Sequence, residues 1–284
     1  MKLLTWNIQW GLGLDGRVDL ARIVKTMKAM GDFDVICVQE VADNYPNLAG
    51  NDDRDQFAEL RWLLNGYHSV HGYGVDVVGQ GERRRRFGNM IFSRYGILSA
   101  RRHALPWPAD PGKPSMPRVA VEATLETPMG PLRITTTHLE YYSDVQRMAQ
   151  VRRLREIHEE GLQRAAGPGG KGEANATFDP TPQAPMAILT GDFNFPPEHA
   201  AYGLMQEPLP GGAPRYVDAW THLRGHHPHP PTFCVHEQNY GKDPYCCDFI
   251  FVSENLLPRV HHVKVNTETR DSDHQPVMIE FAAA

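Results

Sequence analysis

Short apolar runs rich in Val, Ile, Thr and Phe recur along the chain, and several alternate apolar with polar positions. Both features are typical of β-strands. The run VAVEATLET, a turn with Pro128 and Gly130, and the run LRITTTHL predict a β-hairpin. The predicted strands cover residues 2–8, 34–39, 89–93, 119–126, 132–139, 186–190, 249–253, 261–265 and 276–281.

Three stretches between these runs carry apolar residues at helical spacing and predict amphipathic helices that pack on a core. The third is preceded by Ser143, with Gln146 three residues on, which is a capping-box pattern. The three stripes are Val18, Ile23, Val24, Met27 and Met30; Phe57, Leu60, Leu63 and Leu64; and Met148, Val151, Leu154, Ile157 and Leu162.

Two segments have the composition of loops. Residues 165–185 are rich in Gly, Pro and Ala and are typical of an exposed or disordered loop or a domain linker. Candidate chemical motifs lie on both sides of this segment, so we predict a single domain over residues 1–284. The segment GHHPHPP at 225–231 predicts another loop, and a soft-metal site is the alternative interpretation of its histidines.

Composition narrows the class of protein. The chain has 284 residues, of which 41% are hydrophobic, enough for a large buried core. A net charge of -5 argues against electrostatic coating of nucleic acid, although it permits a local basic cleft. The four cysteines lack zinc-type spacing and indicate a reduced compartment. No run reaches membrane-spanning length and no apolar signal core is evident, so we expect a cytoplasmic protein.

Polar residues stand directly at the ends of several predicted strands. Carboxylate and amide oxygens are hard ligands, suited to Mg²⁺ or Mn²⁺. A histidine beside them can donate to a phosphate oxygen or move a proton. Each residue alone has a structural alternative, as a cap, a turn former or a solvated strand end. The eight residues are Asn7, Glu40, His138, Asp192, Asn194, Asp248, Asp273 and His274.

Seven short motifs, TWNIQ, VQE, GNMIFSR, THLE, GDFN, DFIFVS and SDHQPV, occur in this order over nearly the whole chain. In that order they resemble the endonuclease/exonuclease/phosphatase superfamily. The resemblance implies an α/β fold, a four-layer α/β/β/α sandwich of two packed mixed β-sheets. It also implies that the motif residues converge at one edge of the sandwich.

The resemblance further implies roles for individual residues. Asp192 and Asn194 match a pair that orients the attacking water, and Asp248 matches the carboxylate that orients His274. Arg118, in MPRVAVEA, matches an arginine that contacts phosphate in some members. The implied metal-site residues are Asn7, Glu40, Asp192, Asn194 and Asp273. The implied phosphate contacts are Arg118, His138, Asn194 and His274.

This sequence departs from parts of the family pattern. Gln9 stands where apurinic-site endonucleases typically carry Asp, and His138 where they commonly carry Tyr. Cys246 and Cys247 replace an Arg-Ile pair before Asp248. These departures preserve the implied catalytic class and predict a poor apurinic-site endonuclease.

The prediction is a divalent-metal-dependent hydrolase of phosphate esters that uses Mg²⁺ or Mn²⁺ and acts as a phosphodiesterase or nuclease. The alternatives are a phosphomonoesterase on a small molecule or lipid headgroup and, third, a non-catalytic binding module. Nucleic acid remains a possible partner.

The basic run Arg83 to Arg86 fits a nucleic-acid clamp, a solvated loop or a binding site for a small polyphosphate. The sequence leaves the oligomeric state and the number of metal ions open. Five aromatic residues fit base stacking or packing equally: Trp6, Trp10, Trp107, Tyr141 and Tyr142.

Overall fold

The computed structural model describes residues 1–167, 170, 175–237, 239–240 and 243–282, which contain twelve strands and five α-helices. The strands are β1 (Lys2–Asn7), β2 (Val35–Asp43), β3 (His68–Val78), β4 (Arg84–Ser93), β5 (Ile97–Ala104), β6 (Val119–Thr127), β7 (Gly130–His138), β8 (Met186–Asp192), β9 (Tyr216–Asp218), β10 (Asp248–Ser253), β11 (Val260–Val265) and β12 (Val277–Phe281). The helices are α1 (Leu20–Met30), α2 (Gln56–Leu63), α3 (Asp144–Ala166), α4 (Ala200–Met205) and α5 (Ala219–Arg224).

The strands form two mixed six-stranded sheets. The first has the order β11-β12-β1-β2-β4-β3, and the second β5-β6-β7-β8-β10-β9. Each contains one parallel pair near its centre, β1 with β2 and β7 with β8, and the other pairs are antiparallel. Apolar side chains of both sheets pack together in one core, among them Val35, Val121, Ile134, Ile250 and Ile279. The predicted hairpin is confirmed as β6 and β7.

Helices cover the outer faces of both sheets. Of the stripe predicted for the first helix, Ile23, Val24, Met27 and Met30 pack with α2 on β1, β2 and β4 in a second core cluster. Val18 was wrongly included, because it precedes α1 and forms a β-bridge with Leu12. The outer face of the second sheet packs against α3 in a third cluster. The N-caps are Asp19, Asp55 and Ser143, and each side chain accepts a backbone N–H of its helix. These layers confirm the α/β/β/α sandwich.

All nine predicted strands are present, but the sequence missed β3, β5 and β9. All three are edge strands with a single neighbour. An edge strand is partly solvated, so β3 and β5 carry His, Gly, Asp and Arg among their apolar residues, and the apolar pattern is weak. β9 has only three residues. The predicted strand at 89–93 begins earlier, at Arg84, so most of the basic run lies in β4 rather than in a loop.

The predicted loop at 165–185 begins after α3 ends at Ala166 and includes a short 3₁₀ turn at Ala176–Phe178. Part of this loop, residues 168–169 and 171–174, lies outside the described residues. Among the helices that the structure describes, none is both long enough and apolar enough to cross a bilayer.

Candidate active site

Strand register brings the predicted site residues together at one edge of the sandwich. His138 is the last residue of β7 and lies opposite Asp192, the last residue of β8, in the parallel pair. Asp248 begins β10 and lies opposite Asp192 on its other side. Asn7 ends β1, in the facing sheet. Adjacent strands with this register place their terminal side chains side by side.

Glu40 reaches this edge through a β-bulge. The pairing of β2 with β4 shifts register between Val38 and Val41, and Glu40 has a φ of 62°. Positive φ is unfavourable for a residue with a side chain and is typical of functional sites. A bulge re-aims a side chain that regular alternation would direct elsewhere. Asn194 has a similar φ of 54°.

Gly191 in the GDFN motif allows the close approach of β7 and β8. Its φ is 137°, and a Cβ built there would lie 1.9 Å from the carbonyl oxygen of Thr137. Any other residue would force the two strands apart, and the register of His138 with Asp192 would be lost. The glycine of this motif is therefore required by the geometry of the site.

Asn7 joins two carboxylates that come from different sheets. Its Nδ2 donates to Glu40 Oε1 at 3.0 Å and to Asp192 Oδ2 at 2.9 Å. Its Oδ1 accepts the backbone N–H of Gln9 at 3.0 Å, which fixes the orientation of the amide. His138 Nε2 lies 3.4 Å from Asp192 Oδ2 and 3.8 Å from Glu40 Oε1. One ligand atom each from Glu40, His138 and Asp192 lies within 4.8 Å of the other two.

The two carboxylates are poorly compensated. Burial raises the pKa of Glu40, and the charge of Asp192 raises it further, while Asn7 and His274 act in the opposite direction. Burial also raises the pKa of Asp192 to about 6, although the His274 charge opposes it. A cation between these groups would stabilise both in the charged form.

Asp248 and His274 form a hydrogen-bonded pair. His274 Nδ1 lies 2.9 Å from Asp248 Oδ2, and His274 Nε2 faces the cluster, 3.6 Å from Asp192 Oδ2. Burial alone would lower the pKa of His274, but the charges of Asp248 and Asp192 outweigh it and hold the pKa well above its usual value. Thr232 Oγ1 donates to the same Asp248 oxygen at 2.6 Å. No motif of the sequence had pointed to Thr232.

His138 has the opposite electrostatic environment. Burial, followed by the charges of Arg118 and His274, holds the pKa of His138 well below its usual value. The site therefore contains a neutral imidazole and a protonated one, whose pKa values are separated by their surroundings.

The segment Ser272–His274 is tied to the end of β1. Ser272 Oγ donates to the carbonyl oxygen of Asn7 at 2.8 Å, and Trp6 Nε1 donates to that of His274 at 2.9 Å. Asp273 lines the same cleft but stands outside the cluster of Glu40, His138 and Asp192. Burial raises the pKa of Asp273 to about 7, against the opposing charge of His274.

Arg118 lies buried beside the cluster. Its Nε donates to Glu140 Oε2 at 3.3 Å, while its Nη1 has no hydrogen-bond partner among the described residues. Burial lowers its pKa. Glu140 also accepts the backbone N–H groups of Tyr141 and Tyr142, each at 3.0 Å. Glu140 was not among the predicted site residues, although its place as the last residue of the THLE motif was a usable signal.

Asn194 completes the GDFN segment. Its backbone N–H donates to Asp192 Oδ1 at 2.9 Å, and its Nδ2 donates to the carbonyl oxygen of Leu139 at 2.9 Å. The first bond leaves Asp192 Oδ2 directed at Asn7 and the histidines. All predicted site residues thus meet at one edge, and Asp248 is placed behind His274.

An open cleft with a cavity volume of about 280 Å³ contains the cluster. Two separate apolar groups line it beside the charged residues. The first is Trp10, Tyr45, Leu48, Phe87 and Met116, and the second includes Tyr141 and Phe233, with Tyr142 and Tyr240 also on the cleft wall. Of the other two aromatic candidates, Trp6 is buried, and Trp107 is exposed and bonded to Ser115.

The remaining motifs contribute little to this site. His229 pairs with Asp218 at 2.6 Å, and no soft-metal cluster involving the 225–231 segment occurs among the described residues. The four cysteines are free and buried. Three arginines of the basic run pair with carboxylates of Asp43, Asp53 and Asp76.

Comparisons with known proteins agree with the fold. The structure resembles an endonuclease/exonuclease/phosphatase from Bacteroides vulgatus, with a TM-score of 0.68 and 19% identity over 100% of this chain and 98% of that one. A mannosyl-6-phosphatase from Bacteroides thetaiotaomicron gives 0.64 and 18%, over 99% of each chain. The human Nocturnin catalytic domain with bound sulfate gives 0.63 and 18%, over 100% and 93%. These likenesses concern the fold.

Among curated proteins, none matches this sequence significantly. A family model described as the Endonuclease/Exonuclease/phosphatase family matches residues 4–274. The match contains Asn7, Glu40, His138, Asp192 and His274, the residues that meet in the cleft. The chain therefore belongs to the endonuclease/exonuclease/phosphatase family.

Proposed function

We propose that this protein is a divalent-metal-dependent phosphodiesterase, in which water attacks phosphorus in the cleft. Members of the family are generally hydrolytic phosphoesterases. The observation that carries the proposal is the meeting of the partly buried carboxylate of Glu40 and the buried carboxylate of Asp192, from facing sheets, with His138 within 4.8 Å. Burying two such charges is costly unless a cation or hydrogen bonds compensate them. We further propose that residues 1–284 form one domain, because both sheets contribute to the one site.

The donor set fits a hard cation. Glu40 and Asp192 offer carboxylate oxygens, and Asp273 lines the same cleft. Oxygen ligands of this kind favour Mg²⁺ or Mn²⁺ over softer ions. Such an ion supplies Lewis-acid stabilisation of phosphate charge and a more acidic bound water. In this proposal Glu40 and Asp273 hold the ion, Asp192 and Asn194 lie beside it, and Asn7 keeps Glu40 and Asp192 together. Direct ligation by Asn7 stays a prediction, since its amide oxygen accepts from Gln9.

The chain's own residues prepare the reaction. Asp192 Oδ2 is oriented by Asn7 and Asn194, so it can accept a proton from the attacking water. His274 is held by Asp248 and presents a protonated Nε2 to a phosphate oxygen. The unpartnered Nη1 of Arg118 offers a second donor from the floor of the cleft. His138, kept neutral, provides a further hydrogen bond.

Cleavage of a diester is favoured by the cleft lining. A diester carries an organic group on each side of the phosphorus, and two separate apolar groups of residues line the cleft beside the charged cluster. A monoester needs only one such surface. A phosphomonoesterase is the alternative, and one structural neighbour is a mannosyl-6-phosphatase. A non-catalytic module is disfavoured because none of the predicted site residues is replaced.

Three paired arginines in the basic run argue against a broad nucleic-acid clamp, since their charge is already neutralised. Weak incision of abasic duplex DNA therefore stays a prediction, as does a cytoplasmic location, which the four free cysteines support.

The test compares hydrolysis of bis(p-nitrophenyl) phosphate, p-nitrophenyl phosphate and abasic duplex DNA, with Mg²⁺, Mn²⁺ or EDTA. We expect the diester to be hydrolysed fastest, and activity to disappear in EDTA. Asp192→Asn should lower the rate at least about a hundredfold, because it removes an oriented carboxylate at the reacting phosphate. Asp144→Asn, an exposed carboxylate at the start of α3, is the matched control and should leave the rate unchanged. Full activity in EDTA or in Asp192→Asn would contradict the proposal, and a faster monoester would favour the alternative.

A further inference from the structure

Arg85 differs from its three neighbours in the basic run. Arg83, Arg84 and Arg86 each pair with one or two aspartates at 2.8–3.6 Å. Across the described residues Arg85 has no ion pair, and its buried Nε lacks a hydrogen-bond partner. A guanidinium with five donors and no counter-ion is available for an anion.

The alternation of β4 places Arg85 on the face opposite to Arg84 and Arg86. Arg84 and Arg86 share one face, where both contact Asp76. Arg85 shares the other face with Phe87, two residues on, and Phe87 lines the cleft. The strand therefore directs its one uncompensated cation toward the side that contains the candidate active site.

Tyr45 fixes the position of this cation. The Arg85 guanidinium lies over the Tyr45 ring, 4.7 Å from its centroid, and Tyr45 contacts Phe87 edge-on at 6.0 Å. Tyr45 is itself a wall residue of the cleft. Stacking on an aromatic ring holds the planar guanidinium while its N–H edge stays free to bind oxygen.

We propose that Arg85, stacked on Tyr45, forms an anion subsite at the rim of the cleft and binds a second phosphate of the substrate, distinct from the phosphate that is hydrolysed. Arg118 and His274 in the cleft are assigned to the reacting phosphate, and the carboxylates of Glu40, Asp192 and Asp273 repel any further negative charge. One cation at the rim compensates this repulsion for a substrate with two phosphates. The proposal rests on the proposed phosphodiesterase function.

Two sources supply this chemistry, a neighbouring phosphate along a nucleic-acid strand and a second phosphate on a small molecule. The shared prediction is a preference for the doubly phosphorylated form of one substrate. A suitable pair is thymidine 5′-(p-nitrophenyl phosphate) with and without a 3′-phosphate, since release of p-nitrophenolate is measured for both.

For the unaltered protein we expect kcat/KM to be roughly tenfold higher for the ester with the 3′-phosphate, as one charge-assisted contact is gained. Arg85→Gln should bring the ratio close to one, and Arg85→Lys should keep part of it. Arg84→Gln is the matched control on the same strand, and it should keep the full ratio because Arg84 already pairs with Asp76. Increasing KCl should lower the ratio in the unaltered protein.

Calorimetric binding of thymidine 3′,5′-bisphosphate and thymidine 5′-monophosphate separates this proposal from the proposed function. If neither ester is hydrolysed, the phosphodiesterase proposal fails, yet a bisphosphate preference lost in Arg85→Gln still supports the subsite. A bisphosphate preference that survives Arg85→Gln, or the absence of a preference in the unaltered protein, overturns the subsite proposal.

Binding of oligothymidylates identifies the source of the second phosphate. Binding that tightens with length beyond two phosphates indicates a strand, and constant affinity indicates a small bisphosphate. Either result supports the subsite, provided that Arg85→Gln weakens it.

Discussion

Two buried glutamates, one in each sheet, have opposite electrostatic surroundings. Glu40 in β2 has a side chain 16% exposed, and Glu122 in β6 has one 4% exposed. Burial raises the pKa of Glu40 and the charge of Asp192 adds to this effect, although the bond from Asn7 and the charges of His274 and Arg118 oppose it. Burial acts the same way on Glu122, but His103, Arg133 and Arg101 outweigh it and lower the pKa.

The Glu122 network is structural. Arg101, His103 and Arg133 surround the carboxylate at 3.6–3.7 Å, and Arg133 Nη2 extends the network to His158 in α3. Gly161 in the same helix makes room, because a Cβ there would lie 1.1 Å from Arg133 Nη1. This arrangement joins the outer face of the second sheet to α3.

Burial is therefore common to both regions, and the supply of counter-charge distinguishes them. Glu122 has two arginines beside its single negative charge, so this charge is compensated and the network stabilises the native packing. Glu40 has a carboxylate, an amide and a neutral histidine close to it, and the charges of His274 and Arg118 do not outweigh its burial, so a bound cation would supply the remaining counter-charge. An ionisable group that is buried without compensation indicates a binding site, whereas a compensated one indicates a structural role.

The largest expected effect is the loss of activity in Glu40→Gln, which distinguishes Glu40 from Glu122. Glu40→Gln keeps the shape of the side chain and its bond to Asn7 but removes one negative charge from the proposed metal site. Diester hydrolysis should fall by roughly a thousandfold, and the concentration of Mn²⁺ needed for half-maximal activity should rise. The free energy of unfolding should stay the same or increase, because repulsion with Asp192 is relieved. A variant with normal metal response would show that Glu40 is not a ligand.

Glu122→Gln is the matched change in the other region and should give the reverse result. The cations of Arg101 and Arg133 would lose their buried counter-ion, so the free energy of unfolding should fall by about 3 kcal/mol. Activity per folded molecule should remain near that of the unaltered protein. Chemical denaturation and rates at saturating Mg²⁺ measure both quantities. If the two variants behave alike, the distinction between compensated and uncompensated burial is wrong.

The sequence singled out more residues of the candidate site than of the structural network. The predicted site residues fall in short motifs at strand ends, and one resemblance ordered them. Glu122, Arg133 and His158 lie within a strand, a strand and a helix, where a single charged residue gives no local signal. Thr232 also gives no local signal, because its hydrogen bond to Asp248 joins residues 16 positions apart in the sequence.

The positions of three edge strands, β3, β5 and β9, were not predicted, because their apolar pattern is weak. The bulge at Glu40 was also beyond sequence reasoning, because it depends on pairing between β2 and β4. Local periodicity records which face of an element is buried, but it does not record which partner lies across from it.

A smaller effect is expected at Asp248 and His274, the compensated pair inside the candidate active site. Asp248→Asn removes the charge that holds His274 but leaves an oxygen for Thr232, so turnover should fall by about ten- to a hundredfold. His274→Ala should cost at least as much, and the double variant little more than His274→Ala alone. The pH dependence of kcat should move in Asp248→Asn toward that of His274→Ala. Additive losses would mean that the two residues act independently.

The smallest effect concerns pH and the structural network. His158 Nε2 lies 2.8 Å from the carbonyl oxygen of Pro214, and Nδ1 lies 2.7 Å from Arg133 Nη2. A neutral imidazole satisfies both, donating from Nε2 and accepting at Nδ1. Burial, and then the Arg133 charge, lower the pKa of His158 to about 4. In the unfolded chain it titrates near its ordinary value of about 6.5.

Above pH of about 6.5 His158 is neutral in both states, so it adds no pH dependence. As the pH falls below that value, His158 becomes protonated in the unfolded chain, whereas in the folded protein it stays neutral until the pH reaches its lowered pKa. The free energy of unfolding should therefore decrease, by about 1 kcal/mol at pH 5.5, and more as the pH approaches 4. In His158→Gln the amide can keep both hydrogen bonds without titrating, so this loss should be absent. Urea denaturation of both proteins between pH 7.5 and 5 measures the difference, and carboxylates that titrate elsewhere cancel from it. Parallel pH profiles for the two proteins would show that His158 titrates in the folded protein as it does in the unfolded chain, and that burial and Arg133 do not lower its pKa.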